Sequence, residues 1–400
     1  MSKNIVFCAD GTWDGPGETD SDDKIVAHTN VFKLFFNLDG RDTPDTALLK
    51  KEQERVLTAA DGTTRQHAKY LDGVGDSQNF LVKALGGAFG AGLIVRIVRG
   101  YTFVSRNYVA GDKIFIVGFS RGAYTARALA GLIASKGLLD ATKLDLTNKV
   151  GAYRLGAAVW YEYLRSKLQA NQNWLGRLEE MVLDLPSFFM WPPRTDHLIS
   201  ASIESVAVWD TVGSLGIPAY DLRMRRLDAF QFADLKLNPV VGHGHHAVAV
   251  DEMRVDFVPT LWDADPRITQ VLFVGAHADV GGGYPESNYE SALSDATLKW
   301  MTGELAQLGV RFSASPFFVP KPNARGPAHS PWAHPPWDVL GRGTRVFPAG
   351  LCLSQGVLDR ITGGHVVADF GFGPASAYAP QNLAGYITGQ IAAARVVVIA

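Results

Sequence analysis

Residues 114–133 read IFIVGFSRGAYTARALAGLI and contain the turn that decides the fold. The β-branched apolar run predicts a strand over residues 113–118, and the small and aliphatic residues that follow at helical spacing predict a helix over 121–135. Ser120 lies at the turn between them, with a glycine two residues before it and another two residues after it. Such a turn holds a serine in a strained backbone conformation, with its Oγ exposed above the carboxyl edge of the sheet. The stretch therefore predicts a nucleophilic Ser120, against the alternative of an ordinary Gly-Ser turn.

The same strand-then-helix pattern recurs along the chain. Further apolar strands are predicted at residues 4–9, 203–209 and 268–275, and a helix at about 290–308. Apolar strands that alternate with helices indicate an α/β fold with a mostly parallel sheet covered by helices on both faces. We interpret residues 1–400 as one such domain. Residues 140–200, rich in aromatic and helix-forming residues, are interpreted as an insertion that forms a lid or a surface for a membrane or partner.

Composition excludes several classes of protein. The chain has 400 residues, 47% of them hydrophobic, and a formal net charge of -2, so it lacks the basic surface that nucleic-acid binding requires. Its two cysteines, Cys8 and Cys352, do not form a disulfide scaffold and suit a reducing compartment. No secretory signal and no run long enough to span a membrane is recognisable, so we expect a chain that is cytoplasmic as synthesised, or exported by a signal-independent route.

A serine nucleophile needs a base, and His277 is the best placed of the ten histidines. It follows an apolar strand in VLFVGAHADVGGGY, and ligands of open α/β sheets gather at the carboxyl ends of strands. The alternative is a structural histidine at a strand end. His243, His245 and His246 form a cluster in VGHGHHAVAVDE, which we interpret as polar loop residues because no metal-binding spacing accompanies them. No metal and no cofactor is predicted.

The acid that orients the base should also follow a strand. Asp210 does so in VAVWDTVGS, where a carboxylate could fix the imidazole tautomer and stabilise the imidazolium. Asp279, two residues beyond His277, is the rival. Further options are Asp251, Glu252 and Asp256.

An oxyanion formed at the serine needs two hydrogen-bond donors. One is expected from the backbone N–H of Arg121, the residue after the nucleophile. The other is expected from Gly11 or Thr12, in the ADGTW loop after the first strand. Asp10 has a supporting role in this interpretation, because it can brace that loop. The alternative for Asp10, Gly11 and Thr12 is a plain tight turn.

Several stretches together resemble one known family. In chain order they are FCADGTWD with TNVFKL, YLDGVG, GGAFGAG, GDKIFIVGFSRGAYTARALAGLI, VAVWDTVGSLGIP, HHAVAVDEMR, and VLFVGAHADVGGGY with LSDATLKWM. The chain resembles the uncharacterised α/β-hydrolases that include the type VI secretion phospholipase effectors of the Tle1 class. The resemblance implies an α/β-hydrolase fold and a triad of Ser120, Asp210 and His277, the same three residues that the strand ends single out. Asp279 stays a supporting candidate.

The resemblance also implies an activity and partners. It implies phospholipase A or lipase activity on acyl esters, contact with a membrane surface, and, for an effector, a secretion-apparatus partner and an immunity protein. Two alternatives stay open at this point. One is another hydrolase, either a general short-acyl esterase or a peptidase, and the other is a non-catalytic module that keeps the fold and binds a partner.

Overall fold

The fold is described by a computed structural model. It covers residues 2–11, 27–46, 51–73, 89–169, 195–212, 235–335, 337–339, 341–389, 393 and 395–399. The strands are β1 Asn4–Ala9, β2 Ala27–Thr29, β3 Arg41–Asp42, β4 Glu52–Thr58, β5 Thr64–Leu71, β6 Lys113–Phe119, β7 Leu138–Leu139, β8 Leu198–Ile199, β9 Ile203–Trp209, β10 Val241–Ala249, β11 Ile268–Phe273, β12 Gly282–Pro285, β13 Cys352–Ser354, β14 His365–Val366, β15 Ser376–Ala377 and β16 Val396–Val397. The helices are α1 Asn30–Asn37, α2 Phe89–Asn107, α3 Arg121–Lys136, α4 Lys149–Gln169, α5 His277–Gly281, α6 Ala292–Gln307, α7 Gln355–Thr362 and α8 Ala384–Ile387.

Within these residues a ten-stranded sheet has the order β16-β13-β11-β10-β9-β6-β1-β5-β4-β3. The strands from β16 to β5 are parallel, and β4 and β3 are added antiparallel at one edge. The chain is therefore an α/β protein with a mostly parallel central sheet. The predicted strands 4–9, 113–118 and 203–209 are confirmed, and the strand predicted at 268–275 ends two residues earlier, at Phe273.

Alternate residues of each strand point to opposite faces of the sheet, and helices cover the apolar side chains on both faces. Ile5 and Phe7 of β1 belong to the core beneath α2, α3 and α4. Val6 and Cys8 belong to the opposite core, beneath α1 and α6. Helix α1 is capped by Thr29, whose side chain accepts a hydrogen bond from the Phe32 N–H (3.1 Å).

The insertion at 140–200 is only partly described. Its helix α4 packs on α2 and α3, and Trp160 and Tyr163 of this helix are buried in the core. These two aromatic residues therefore contribute to packing rather than to an exposed surface. Residues 170–194, the remaining aromatic and proline-rich part, lie outside the described residues.

The prediction that His243, His245 and His246 lie in a polar loop is wrong. They belong to β10, an interior strand between β9 and β11. His246 is fully buried, with its Nε2 accepting the Thr211 N–H (3.0 Å) and its Nδ1 3.3 Å from Gln270 Oε1. A buried strand tolerates such side chains because neighbouring strands supply their hydrogen bonds.

Candidate active site

Ser120 occupies the turn between β6 and α3. Its φ of 56° and ψ of -122° place a non-glycine residue in the left-handed half of the backbone map, a conformation that side chains rarely adopt. The Ser120 N–H donates to the carbonyl of Trp209 (3.1 Å), the last residue of β9. This backbone bond holds Ser120 beside Asp210, which follows Trp209.

The glycines on either side of Ser120 are required by close backbone contacts. A Cβ on Gly118 would lie 2.4 Å from the carbonyl oxygen of Gly122, and a Cβ on Gly122 would lie 2.1 Å from the carbonyl oxygen of Ala9. Both distances are far below van der Waals contact. The turn therefore packs against itself and against the end of β1, which explains the spacing of the two glycines.

Asp210 and His277 form a buried pair at the same edge of the sheet. Asp210 follows β9 with a positive φ of 35°, and His277 begins α5 shortly after β11. Asp210 Oδ2 lies 2.6 Å from His277 Nδ1, the distance of a strong charge-assisted hydrogen bond. Asp210 Oδ1 also accepts the Ala249 N–H (2.9 Å). The structure thus joins the favoured acid to the favoured base.

A third side chain, which the sequence did not single out, holds Asp210 from the other side. Arg345 Nη1 donates to Asp210 Oδ1 (2.7 Å), and Nη2 donates to Asp210 Oδ2 (2.9 Å). Burial opposes ionisation of this carboxyl group, but the Arg345 charge and the hydrogen bonds from His277 and Arg345 outweigh burial. The pKa of Asp210 therefore lies well below its ordinary range.

His277 is enclosed by aromatic rings and backbone contacts. Its ring centroid lies 4.6 Å from that of Phe119 and 5.1 Å from that of Phe257. Its backbone N–H donates to Glu252 Oε2 (3.2 Å). Burial lowers the pKa of His277 below 6.5, although the Asp210 carboxylate acts in the opposite direction.

The second ring nitrogen of His277 is free to accept a proton. Nε2 is buried and has no hydrogen-bond partner among the described residues. Buried polar atoms are rarely left unpaired, and such exceptions occur where an atom has a chemical role. A neutral imidazole that donates Nδ1–H to a carboxylate presents Nε2 as a proton acceptor.

The rival acids are occupied elsewhere. Asp279 Oδ1 lies 2.7 Å from His329 Nδ1, and Asp279 Oδ2 accepts the N–H groups of Ala276 and His329 (both 3.0 Å). Asp251 accepts from the Tyr378 hydroxyl, and Glu252 pairs with Arg254. Asp279 therefore braces the N-terminus of α5, the helix that His277 begins, while Asp210 contacts the His277 ring itself.

The loop after β1 is held by Asp10. Its carboxylate accepts hydrogen bonds from the Gly11 N–H (2.7 Å), the Thr29 hydroxyl (2.7 Å) and the Tyr70 hydroxyl (2.6 Å). Burial raises the pKa of Asp10 to about 7, although these hydrogen bonds oppose the shift. The Gly11 N–H thus donates to Asp10 rather than into an open site. Thr12 lies outside the described residues.

Neither metal ligation nor membrane spanning is indicated in the part of the chain that the structure describes. No group of three or more His, Cys, Asp or Glu side chains there is arranged to hold a metal ion. None of its helices is both long enough and apolar enough to cross a membrane.

Comparison with known proteins identifies relatives of this chain. Residues 3–304 match the family model described as the catalytic domain of Tle1-like phospholipase effectors of the type VI secretion system. The uncharacterized protein YEL023C of Saccharomyces cerevisiae is 26% identical over 273 residues, which are 68% of this chain and 34% of that protein. The chain therefore spans about a third of the length of this yeast relative.

Two solved structures are also similar. An uncharacterized protein from Pseudomonas aeruginosa matches with 15% identity and a TM-score of 0.38, over 78% of this chain and 47% of that one. A Tle1 effector bound to the VgrG spike of the type VI secretion system matches with 17% identity and a TM-score of 0.36, over 71% of this chain and 51% of that one.

Proposed function

The chain belongs to the Tle1-like phospholipase effector family of the type VI secretion system, and from this premise we propose that it is a serine hydrolase with an α/β-hydrolase fold. Its substrate class is the carboxylic esters of lipids, and its reaction is that of a phospholipase A or lipase. The observation that carries the proposal is the buried Asp210–His277 pair (2.6 Å), whose Nε2 has no hydrogen-bond partner among the described residues, at the sheet edge where Ser120 follows β6 in a strained conformation.

The proposed mechanism assigns one role to each side chain. Ser120 Oγ attacks the ester carbonyl carbon, and His277 Nε2 takes the hydroxyl proton. Asp210 keeps the proton on Nδ1 and stabilises the imidazolium as it forms. The imidazolium then returns its proton to the departing alkoxide. Water then gives a proton to His277 as it attacks the acyl carbon, and the imidazolium passes that proton to the departing Ser120 Oγ, which releases the carboxylic acid and restores the free enzyme.

The oxyanion of the tetrahedral intermediate is assigned to the N-terminus of α3. The backbone N–H of Arg121 is the proposed first donor, and the helix dipole adds to the favourable field there. The loop after β1 remains the proposed source of the second donor. Gly11 can supply it only if its N–H leaves Asp10 Oδ1.

The test is hydrolysis of an acyl-ester series, from short p-nitrophenyl esters to phosphatidylcholine and phosphatidylglycerol vesicles. Wild type is compared with Ser120→Ala, and with Ser166→Ala, which removes an exposed serine on α4, as a matched control. We expect fatty acid release by wild type and the control, and a loss of several orders of magnitude for Ser120→Ala. Labelling by a fluorophosphonate reports Ser120 reactivity without depending on the substrate chosen.

Each alternative predicts a different result. Turnover of short esters alone, abolished by Ser120→Ala, would make the protein a short-acyl esterase. Equal inertness of wild type and Ser120→Ala towards every ester and the fluorophosphonate would favour a non-catalytic binding module.

Family membership also supports a proposal about partners. We propose that the protein is delivered through a type VI secretion apparatus, binds a component of it, and is neutralised in the producing cell by an immunity protein. Co-purification with a co-expressed type VI spike protein tests this proposal separately from catalysis.

A further inference from the structure

Arg345 comes from a part of the chain that neither the sequence motifs nor the family match includes. It lies beyond residue 304, where the match ends, and its side chain is only 3% exposed. Besides the two bonds to Asp210, its Nη1 donates to the carbonyl of Ala249 (2.7 Å) and its Nη2 to the carbonyl of Phe257. Both terminal nitrogens of the guanidinium are thus held, by the carboxylate and by two carbonyls, one at the last residue of β10 and one in the segment that follows β10.

Other buried charged or titratable groups also surround the Asp210–His277 pair. Glu252 and Arg254 form an ion pair (2.8 Å) whose carboxylate also accepts the His277 N–H. His246 lies behind Asp210 on β10, with Arg127 of α3 near it, and both are buried. Among these groups, only Arg345 makes a two-point contact with the carboxylate that orients the catalytic imidazole.

We propose that Arg345 is a positioning residue for the reaction: it fixes the plane of the Asp210 carboxylate for His277 and sets the pH at which His277 becomes a base. This proposal rests on the proposed function. Two parallel N–H···O bonds restrain a carboxylate in a way that one contact cannot. The positive charge also competes with the imidazolium for Asp210, so the pair holds its proton less tightly with Arg345 present.

The experiment separates geometry from charge with two substitutions. Arg345→Lys keeps the charge but loses the two-point contact, whereas Arg345→Gln loses both. Arg360→Gln is the matched control, because Arg360 is equally buried in the same C-terminal part and donates to the carbonyls of Ala324, Gly326 and Val367. Steady-state kinetics on a soluble ester give the acid limb of kcat/KM against pH for each full-length protein.

We expect Arg345→Gln to move the acid limb to higher pH, by on the order of one unit, and to lower kcat at least tenfold. Arg345→Lys should lower kcat with the limb unmoved. Arg360→Gln should lower the melting temperature with the limb unmoved. If Arg345→Gln and Arg345→Lys keep the wild-type limb and kcat, the proposal is overturned.

A second measurement keeps the inference independent of turnover. The Nδ1 proton of His277, held by Asp210, should give a far-downfield ¹H NMR signal whose pH titration reports the pair directly. If wild type hydrolyses no ester, the proposed function fails, and this titration still tests Arg345. If Arg345→Gln does not fold, Arg345→Lys decides: a weakened or broadened downfield signal supports the proposal, and an unchanged signal with unchanged kcat overturns it.

Discussion

Oδ2 of Asp210 lies 2.6 Å from Nδ1 of His277, and both side chains are buried. Asp279, the other candidate acid, contacts His329 instead. The same Asp→Asn substitution at each position therefore shows which carboxylate orients His277. Asp210→Asn should lower kcat on an ester substrate about 10⁴-fold, because an amide no longer holds the correct imidazole tautomer. Asp279→Asn should lower it about tenfold or less. If Asp279→Asn is the more damaging of the two, the acid has been assigned to the wrong residue.

The burial of His277 predicts where activity is lost on acidification. The base must be neutral to accept the Ser120 proton, and its pKa lies below 6.5 in the folded protein. The acid limb of the wild-type kcat/KM profile should therefore have its midpoint below the ordinary pKa of a histidine imidazole. A decline that begins above about pH 7.5 would contradict the burial argument.

Alanine substitutions are expected to have opposite effects on stability at a crowded glycine of the serine turn and at an open glycine of α6. Gly122→Ala places a methyl group 2.1 Å from the carbonyl oxygen of Ala9, so the backbone must move. We expect a loss of about 3 kcal/mol in the free energy of unfolding, together with a loss of ester hydrolysis. Gly303→Ala, in α6, meets no atom within 4 Å and should raise stability by about 0.5–1 kcal/mol. Urea unfolding of both variants measures the contrast, and equal effects would refute it.

The raised pKa of Asp10 links stability to pH. The unfolded carboxyl group releases its proton near pH 3.8, but the folded one keeps it to about pH 7. Wild type therefore loses stability through this group as pH rises from about 4 to about 7, because the folded state binds more protons over that interval. Asp10→Asn removes this loss.

Urea unfolding measures the free energy of unfolding of Asp10→Asn and of wild type. The difference between them should shift in favour of Asp10→Asn by on the order of 3 kcal/mol as pH rises from about 4.5 to about 8. Asp61→Asn, at an exposed position, is the control whose difference from wild type should stay constant over this interval. A difference for Asp10→Asn that does not change with pH would show that Asp10 is ionised throughout.

The sequence predicted those parts of the site that depend on local pattern. Ser120, Asp210 and His277 each directly follow or closely follow an apolar strand, and parallel strands bring their carboxyl ends to one edge. The helix predicted at about 290–308 corresponds to α6, because its apolar spacing is a property of neighbouring residues. The catalytic roles of Ser120, Asp210 and His277, the two oxyanion donors and phospholipid specificity stay predictions.

Other parts could not be predicted because their causes are distant in the chain. Nothing around Arg345 marks it as a partner of a carboxylate 135 residues away. His246 can occupy a buried strand because both of its ring nitrogens are hydrogen-bonded, one to the Thr211 N–H and the other to the Gln270 side chain. The sequence of β10, VGHGHHAVA, gives no sign of those hydrogen bonds.

The position of Arg345 has a consequence for the order in which the protein acquires activity. A nascent chain that has left the ribosome only up to residue 304 already contains Ser120, Asp210 and His277. It still lacks Arg345, the cation that compensates the buried charge of Asp210. It also lacks β13 and β16, which complete one side of the sheet. Closing a contact over so long a stretch is an entropically costly, late event in folding. The proposed hydrolytic activity should therefore arise only after the segment that carries Arg345 has left the ribosome, so that a shorter nascent chain lacks it.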